Sequence, residues 1–420
     1  MKLLRYNALT PDGRLLFGTR TLRLFAYGFT SVILVLYLAQ IGLSEAKIGS
    51  LLTLTLMGDT AISLWITTTA DRIGRRRMLI VGAGLMVFAG ALFALTRDFV
   101  LLLIAATIGV ISPSGNEVGP FLSIEQAALS QTIPNERRTG VFAWYNLVGS
   151  FATALGALMG GVVAEAMQGI GIAPLESYRA IVIGYAGAGL ALGFLFGRLS
   201  PGIEASATEV AHDSVVAFKS RFGLHRSRGV VLKLSMLFAL DSFAGGFVVQ
   251  SIMAYWFHIR FGLQPAALGS IFLGANILAG LSALTAARIA SRIGLINTMV
   301  FTHIPSNVLL ILVPLMPNLP LAVALLLMRF SISQMDVPTR QSYTMALVNP
   351  DERSASAGIT SIARTVGASP SPFFTGLLMG SPALLSLPFF LAGGLKIVYD
   401  LILYHSFRTV KPPEEKTHPP

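Results

Sequence analysis

Twelve stretches of about 20 mostly apolar residues follow one another along the chain, each long enough to cross a bilayer as a helix. With soft ends they run 22–41, 47–69, 78–96, 99–123, 139–164, 179–198, 231–257, 265–287, 296–316, 319–345, 354–378 and 382–405. Such a pattern leaves few options, because hydrocarbon offers no partner to an unpaired backbone group. Of the 420 residues, 54% are hydrophobic and 12% charged. A soluble domain carries about 25% charged residues, so polar cover for two or three soluble domains is lacking. Glycine has no collagen period, and abundant Leu, Ile, Val and Phe exclude a disordered chain. With no cysteine, disulfide and thiolate chemistry are excluded. The expected fold is an all-α membrane protein of twelve transmembrane helices. The first ten residues are polar and the first apolar stretch is itself a span, so no cleaved signal peptide is expected.

Basic residues outnumber acidic ones by 31 to 20, which raises the question of a nucleic-acid partner. Their placement answers it. With a cytoplasmic N-terminus, 23 of the 31 fall in inner segments, Arg20 and Arg23 among them. Four lie in outer loops (Lys47, Arg97, Arg179 and Arg260) and four inside spans. This is the positive-inside rule, so the charge reports topology and no nucleic-acid partner is expected. Both termini are placed in the cytoplasm and the protein in the plasma (inner) membrane.

The chain also repeats itself. Residues 41–50 match 261–270 at five of ten positions, and Ala70-Asp71-Arg72-Ile73-Gly74 matches Ala290-Ser291-Arg292-Ile293-Gly294 at the same offset of 220. Pro134-Asn135-Glu136-Arg137 returns as Pro350-Asp351-Glu352-Arg353. A duplicated six-helix unit follows, as secondary transporters have. The expected division is a bundle at 1–199, a polar cytoplasmic linker at 200–230, a second bundle at 231–407 and a tail at 408–420.

The loop at 70–77 reads Ala-Asp-Arg-Ile-Gly-Arg-Arg-Arg. It resembles the loop motif of the major facilitator superfamily, with a degenerate copy in the second half. Thr67 stands where that motif has its first glycine. The resemblance spans essentially the whole chain and implies two pseudo-symmetric six-helix bundles that move a small molecule by alternating access. It also implies a conformational latch built from Asp71, Arg72, Gly74, Arg75, Arg76 and Arg292, with Asp71 capping a neighbouring helix and pairing with Arg. Topology alone accounts for the arginines but needs neither Asp71 nor Gly74. The fifth span, with Gly149, Gly156, Gly160 and Gly161, resembles the superfamily's exporter motif, Ala157 replacing a proline. Close helix packing explains the small residues equally well. The arginine of the usual coupling motif is missing from the fourth span, although Arg329 lies in its repeat mate, the tenth. The implied class is a bacterial efflux-type permease, a proton-coupled antiporter. The alternatives are a proton-coupled uptake symporter and, in another class, a non-transporting receptor or assembly factor.

Broken helices at matching places mark a transporter's site. Pro113 and Pro120 in the fourth span and Pro338 in the tenth are the expected breaks, since proline removes a backbone donor. Ionised groups inside a span cost at least about 2.5–3.5 kcal/mol, so they need a task. Asp336, Asp59, Glu117 and Asp241 are the candidates for proton coupling. Asp59 shares a polar helix row with Thr55, Ser63 and Thr67. Asp336 has Arg329 and Arg340 nearby in sequence, whereas Asp59, Glu117 and Asp241 have no sequence-local cation. Each alone is equally well a structural hydrogen bond between helices. A coupling carboxylate must change protonation between two states, and a cation that approaches and leaves does this. Arg329, Arg340, Arg364, Asn116, Gln334, Asn146, Tyr27 and Gln250 are the expected substrate-cavity residues. Glu125, Lys396 and Asp400 fall nearer span ends and read as interfacial or snorkelling, while Trp144 and Tyr145 suit the cavity, helix packing or an interface anchor equally. The six histidines lack ligand spacing and only His303 lies within a span, so no metal and no cofactor is expected. No nucleophile–base pattern or phosphate loop is present, so the chain is not read as an enzyme. The expected partners are a small-molecule substrate, protons and the bilayer, with the protein a monomer.

Overall fold

The computed structural model describes residues 9–133, 135–204, 226–349 and 352–410. Most of the expected linker and tail therefore lies outside the described residues. Among those described, every regular element is helical. In chain order they are α1 (Pro11–Ser31), α2 (Leu34–Gln40), α3 (Glu45–Ile73), α4 (Arg75–Leu95), α5 (Phe99–Ile108), α6 (Phe121–Thr132), α7 (Asn135–Gly169) and α8 (Pro174–Phe196). There follow α9 (Arg228–Gly246), α10 (Gln250–Phe261), α11 (Pro265–Ile293), α12 (Leu295–Leu312), α13 (Leu319–Phe330), α14 (Asp336–Leu347), α15 (Arg353–Ala368), α16 (Ser371–Met379) and α17 (Leu387–Phe407).

Among the described residues eight helical segments are long and apolar enough to cross a membrane, nine if α1 and α2, bent by 44°, count as one. Besides the turns at 32–33 between α1 and α2 and at 247–249 between α9 and α10, three more expected spans are not continuous. Residues 109–120 separate α5 from α6, a turn at 331–335 separates α13 from α14, and a two-residue turn separates α15 from α16. Large apolar side chains such as Leu190, Phe194, Met236 and Leu401 stay more than half exposed. In water these would be a liability; against lipid they are the expected outer face.

Local signals place the helix ends, and they repeat. The side chains of Asp98 and Asn318, 220 residues apart, each accept a hydrogen bond from the backbone N–H three residues on (3.0 and 3.1 Å), opening α5 and α13. α3 and α11 are both 29 residues long. Each ends at a glycine with positive φ, Gly74 at 116° and Gly294 at 86°, where a side chain would be strained.

Packing divides the chain into two compact units: Met1–Asp213 with Gln250–Leu273, and Ser214–Val249 with Gly274–Pro420. In the first, α1 lies directly on α7. A Cβ on Gly28 would overlap the carbonyl of Thr153, and one on Gly156 or Gly160 the carbonyl of Phe25 or Phe29. Gly161 meets the Pro265 carbonyl in the same way, and Glu165 accepts from the Ala266 N–H at 2.9 Å. In the second unit, Gly367 of α15 lies against the backbone of Ala239 in α9. Small residues thus set backbone-to-backbone distances in both units.

Candidate functional site

Polar side chains gather at two places, one within each unit. In the first unit Arg20 and Arg23, one helical turn apart on α1, face the same way. Arg20 Nη1 binds Glu117 at 2.8 Å, its Nε donates to the Tyr145 carbonyl at 2.9 Å and its Nη2 to Asn146 Oδ1 at 3.2 Å. Arg23 holds both Glu117 (2.9 Å) and Glu125 (2.6 Å). Glu125 also accepts from Tyr145 Oη at 2.5 Å and Thr19 Oγ1 at 3.2 Å. Two guanidinium groups face two carboxylates, and Arg23 and Glu125 are fully enclosed.

Several expectations are corrected here. Arg20 and Arg23 are buried partners rather than loop charges, because α1 starts at Pro11, well before the apolar stretch. Thr10 caps it, accepting from Gly13 N–H at 3.1 Å. Glu117, which has no sequence-local cation, draws both of its cations from α1. Glu125 is interior rather than interfacial, and Tyr145 is buried while Trp144 is exposed at 36%.

The break at 109–120 is held by other helices. Tyr27 Oη donates to the Val118 carbonyl at 3.1 Å, and Asp59 Oδ1 accepts from the Gly119 N–H at 2.6 Å. Ser63 also donates to Asp59, at 3.3 Å. Pro113 and Pro120 lie in this segment. The Pro113 carbonyl accepts from the Ser251 N–H at 3.1 Å, and Gln250 donates to Ser31 Oγ at 2.7 Å. Gln250 is thus buried in packing. Asn116 leaves its side chain exposed, while its carbonyl accepts from Ser112.

In the second unit Asp241 of α9 is the centre. Lys396 Nζ approaches Asp241 Oδ1 at 2.6 Å and Arg340 Nη1 approaches Oδ2 at 3.1 Å. The same Arg340 nitrogen lies 3.2 Å from Asp336, one turn away on α14. His303 of α12 stands between two carboxylates, Nδ1 at 2.8 Å from Asp400 and Nε2 at 3.9 Å from Asp241. Asn307 donates to Asp400 at 3.2 Å. Lys396 and Asp400 are therefore interior, not snorkelling, and Asp241 has cations from two helices. Asp336 pairs with Arg340; Arg329 lies instead over the ring of Phe330 at 4.9 Å. The tenth span is interrupted at 331–335, and Pro338 lies just after the interruption, in the first turn of α14, where its missing N–H is tolerated. The Gln334 N–H donates to Ser282 at 3.2 Å. The sequence reading missed His303, Lys396 and Asp400. An i, i+4 pair of opposite charges inside an apolar stretch was the available signal for the last two.

At the loop between α3 and α4, Asp71 caps no neighbouring helix among the described residues; it pairs with Arg75 one turn on, at 2.7 Å. The cap of α4 is Glu204, whose carboxylate accepts from the backbone N–H of Arg75 (2.5 Å) and Arg76 (3.3 Å). A carboxylate there also complements the helix dipole. Arg75 Nη1 reaches the Ile203 carbonyl at 3.2 Å, and the Arg76 guanidinium the carbonyl of Gly197. Arg72 and Arg292 are exposed.

Long apolar helices around charge pairs taken from different helices define a multi-pass membrane protein. The chain belongs to the Major Facilitator Superfamily, whose family model matches residues 16–372. It is a secondary transporter of that superfamily and not an enzyme. A yeast protein, the uncharacterized membrane protein YJR124C of Saccharomyces cerevisiae, is 32% identical over 424 residues, covering 95% of this chain and 94% of its own. The solved structure of a bacterial homologue of the human lysosomal transporter Spinster matches with a TM-score of 0.70. It is 15% identical and covers 94% of this chain and 96% of that one, a likeness of fold alone. The quinolone resistance protein NorA of Staphylococcus aureus is 23% identical over 138 residues, 33% of this chain and 34% of its own.

Proposed function

We propose that the protein exports a small molecule in exchange for protons. In this reading the halves at 1–199 and 231–407 rock about a central cavity, in a plasma (inner) membrane with both termini cytoplasmic. The observation that carries proton coupling is the sharing of Arg340 between Asp241 and Asp336, while Lys396 and His303 compete for Asp241. A cation that can hold either of two carboxylates can release one, and a proton neutralises the group it leaves. Export is supported by the partial similarity to NorA.

The test is a growth-protection screen of overproducing cells against antibiotics, metalloids and toxic metabolites, with and without a proton uncoupler. A protected compound then becomes the probe in proteoliposomes. Asp241→Asn and Asp336→Asn should each abolish uptake driven by a pH gradient while leaving substrate exchange without a gradient. Full gradient-driven transport in both variants would remove the pair from coupling, and substrate accumulation in cells would reverse the direction.

The latch belongs to the same proposal. Asp71→Asn removes the partner of Arg75 but leaves the Glu204 cap, so turnover should slow several-fold with substrate affinity unchanged. Unaltered turnover would sink the latch.

A further inference from the structure

We propose that the substrate is a small soluble organic anion, carrying a carboxylate or a phosphate, and that Arg364 is the group that holds it. This rests on the reading of the protein as a small-molecule transporter and adds the chemical class of its cargo.

In the second unit, Asp241, Asp336, Asp400, Arg340 and Lys396 each have an oppositely charged or hydrogen-bonding partner between 2.6 and 3.2 Å. Arg364 of α15 differs. It is half-buried, its Nε is enclosed without an acceptor, and it makes no hydrogen bond or ion pair among the described residues. The groups whose fields it feels are Arg340, which repels it, and Asp241, Asp336 and Tyr399. Both carboxylates are already engaged by Arg340 and Lys396, so neither is free to neutralise it.

A second unmet donor lies in the same region. The hydroxyl of Tyr399, on α17, is buried with no hydrogen-bond partner among the described residues. A guanidinium nitrogen and a hydroxyl of the second unit thus both stand without acceptors. Leaving a guanidinium unpaired inside a membrane domain is costly, and the planar fork of arginine matches a carboxylate or phosphate with two parallel hydrogen bonds. A cationic cargo would add repulsion, and a neutral one would leave the charge uncompensated.

The experiment uses the purified full-length chain in detergent at fixed pH, with thermal unfolding measured against matched probes. Benzoate is set against benzamide, succinate against succinamide, and glycerol 3-phosphate against glycerol. At least one anion should raise the unfolding midpoint where its neutral mate does not. Arg364→Gln should weaken that apparent affinity about tenfold or more, and Arg364→Lys should keep part of it. Phosphatidylglycerol against phosphatidylcholine forms a separate arm. The proposal is overturned if no anion outperforms its neutral mate, if the shift persists in Arg364→Gln, or if phosphatidylglycerol alone gives an Arg364-dependent shift. Arg364-dependent anion binding together with transport indifferent to a pH gradient would defeat proton coupling and leave this assignment standing.

Discussion

Gly156→Val should leave little folded protein in the membrane, and what can be purified should unfold at a markedly lower temperature. A Cβ at this position would overlap the carbonyl oxygen of Phe25, and the backbone amide of Phe29 is within 3 Å of it. Both obstacles are backbone, so no side chain can rotate away. The helices α1 and α7 must move apart along a contact that Gly28 and Gly160 keep equally close. Overpacking of this kind costs about 1–3 kcal/mol, and more where the backbone itself is wedged. The damage spreads, because Arg20 on α1 bonds Tyr145 and Asn146 on α7. Gly187→Ala is the control. Nothing lies within 4 Å of its added methyl, and alanine favours a helix, so its midpoint should stay level or rise. An unchanged midpoint in Gly156→Val would show that the α1–α7 contact is not close-packed in the membrane.

That contact bears on how the glycine-rich fifth span is read. Its small residues resemble an exporter motif and also satisfy a packing need. The positions of Gly156, Gly160 and Gly161 against three carbonyl groups make the packing need concrete. Direction of transport must therefore be tested by flux, since close packing already accounts for each of these three glycines.

The fold was legible where its causes are local or repeated. The 220-residue offset was visible as matched residues, and it returns as paired caps at Asp98 and Asn318 and paired glycines at Gly74 and Gly294. The break in the fourth span was legible from its prolines and glycines. Its length was not, because residues 109–120 are held out of helix by Tyr27 and Asp59 from other helices. Of the site, helical spacing offered Asp336 both Arg329 and Arg340 and left the choice open; the structure pairs it with Arg340. The pairs Arg23 with Glu125 and Asp241 with Lys396 were not legible, being 102 and 155 residues apart. Hydropathy also misled, since α1 extends eleven residues ahead of the apolar stretch and carries Arg20 with it.

Arg23→Leu should destabilise the protein more than any other single change in the first unit. It strips Glu125 of its counter-charge in a place with no access to water, leaving only the Tyr145 and Thr19 hydroxyls as donors. Glu117 keeps Arg20 and is the lesser casualty. Breaking a buried pair from one side costs about 3–5 kcal/mol, because the remaining charge is uncompensated. Most of that loss should return in the double variant Arg23→Leu with Glu125→Gln. One positive and one negative charge then leave together, and Arg20 with Glu117 remains balanced. Expression level and unfolding midpoint of the two variants decide it. If the double variant is no more stable than the single one, the network is not held by charge balance. If the double variant is stable and still transports, the Arg23–Glu125 pair is a structural strut, and the moving charges must be sought among Asp59, Glu117 and the cluster around Asp241.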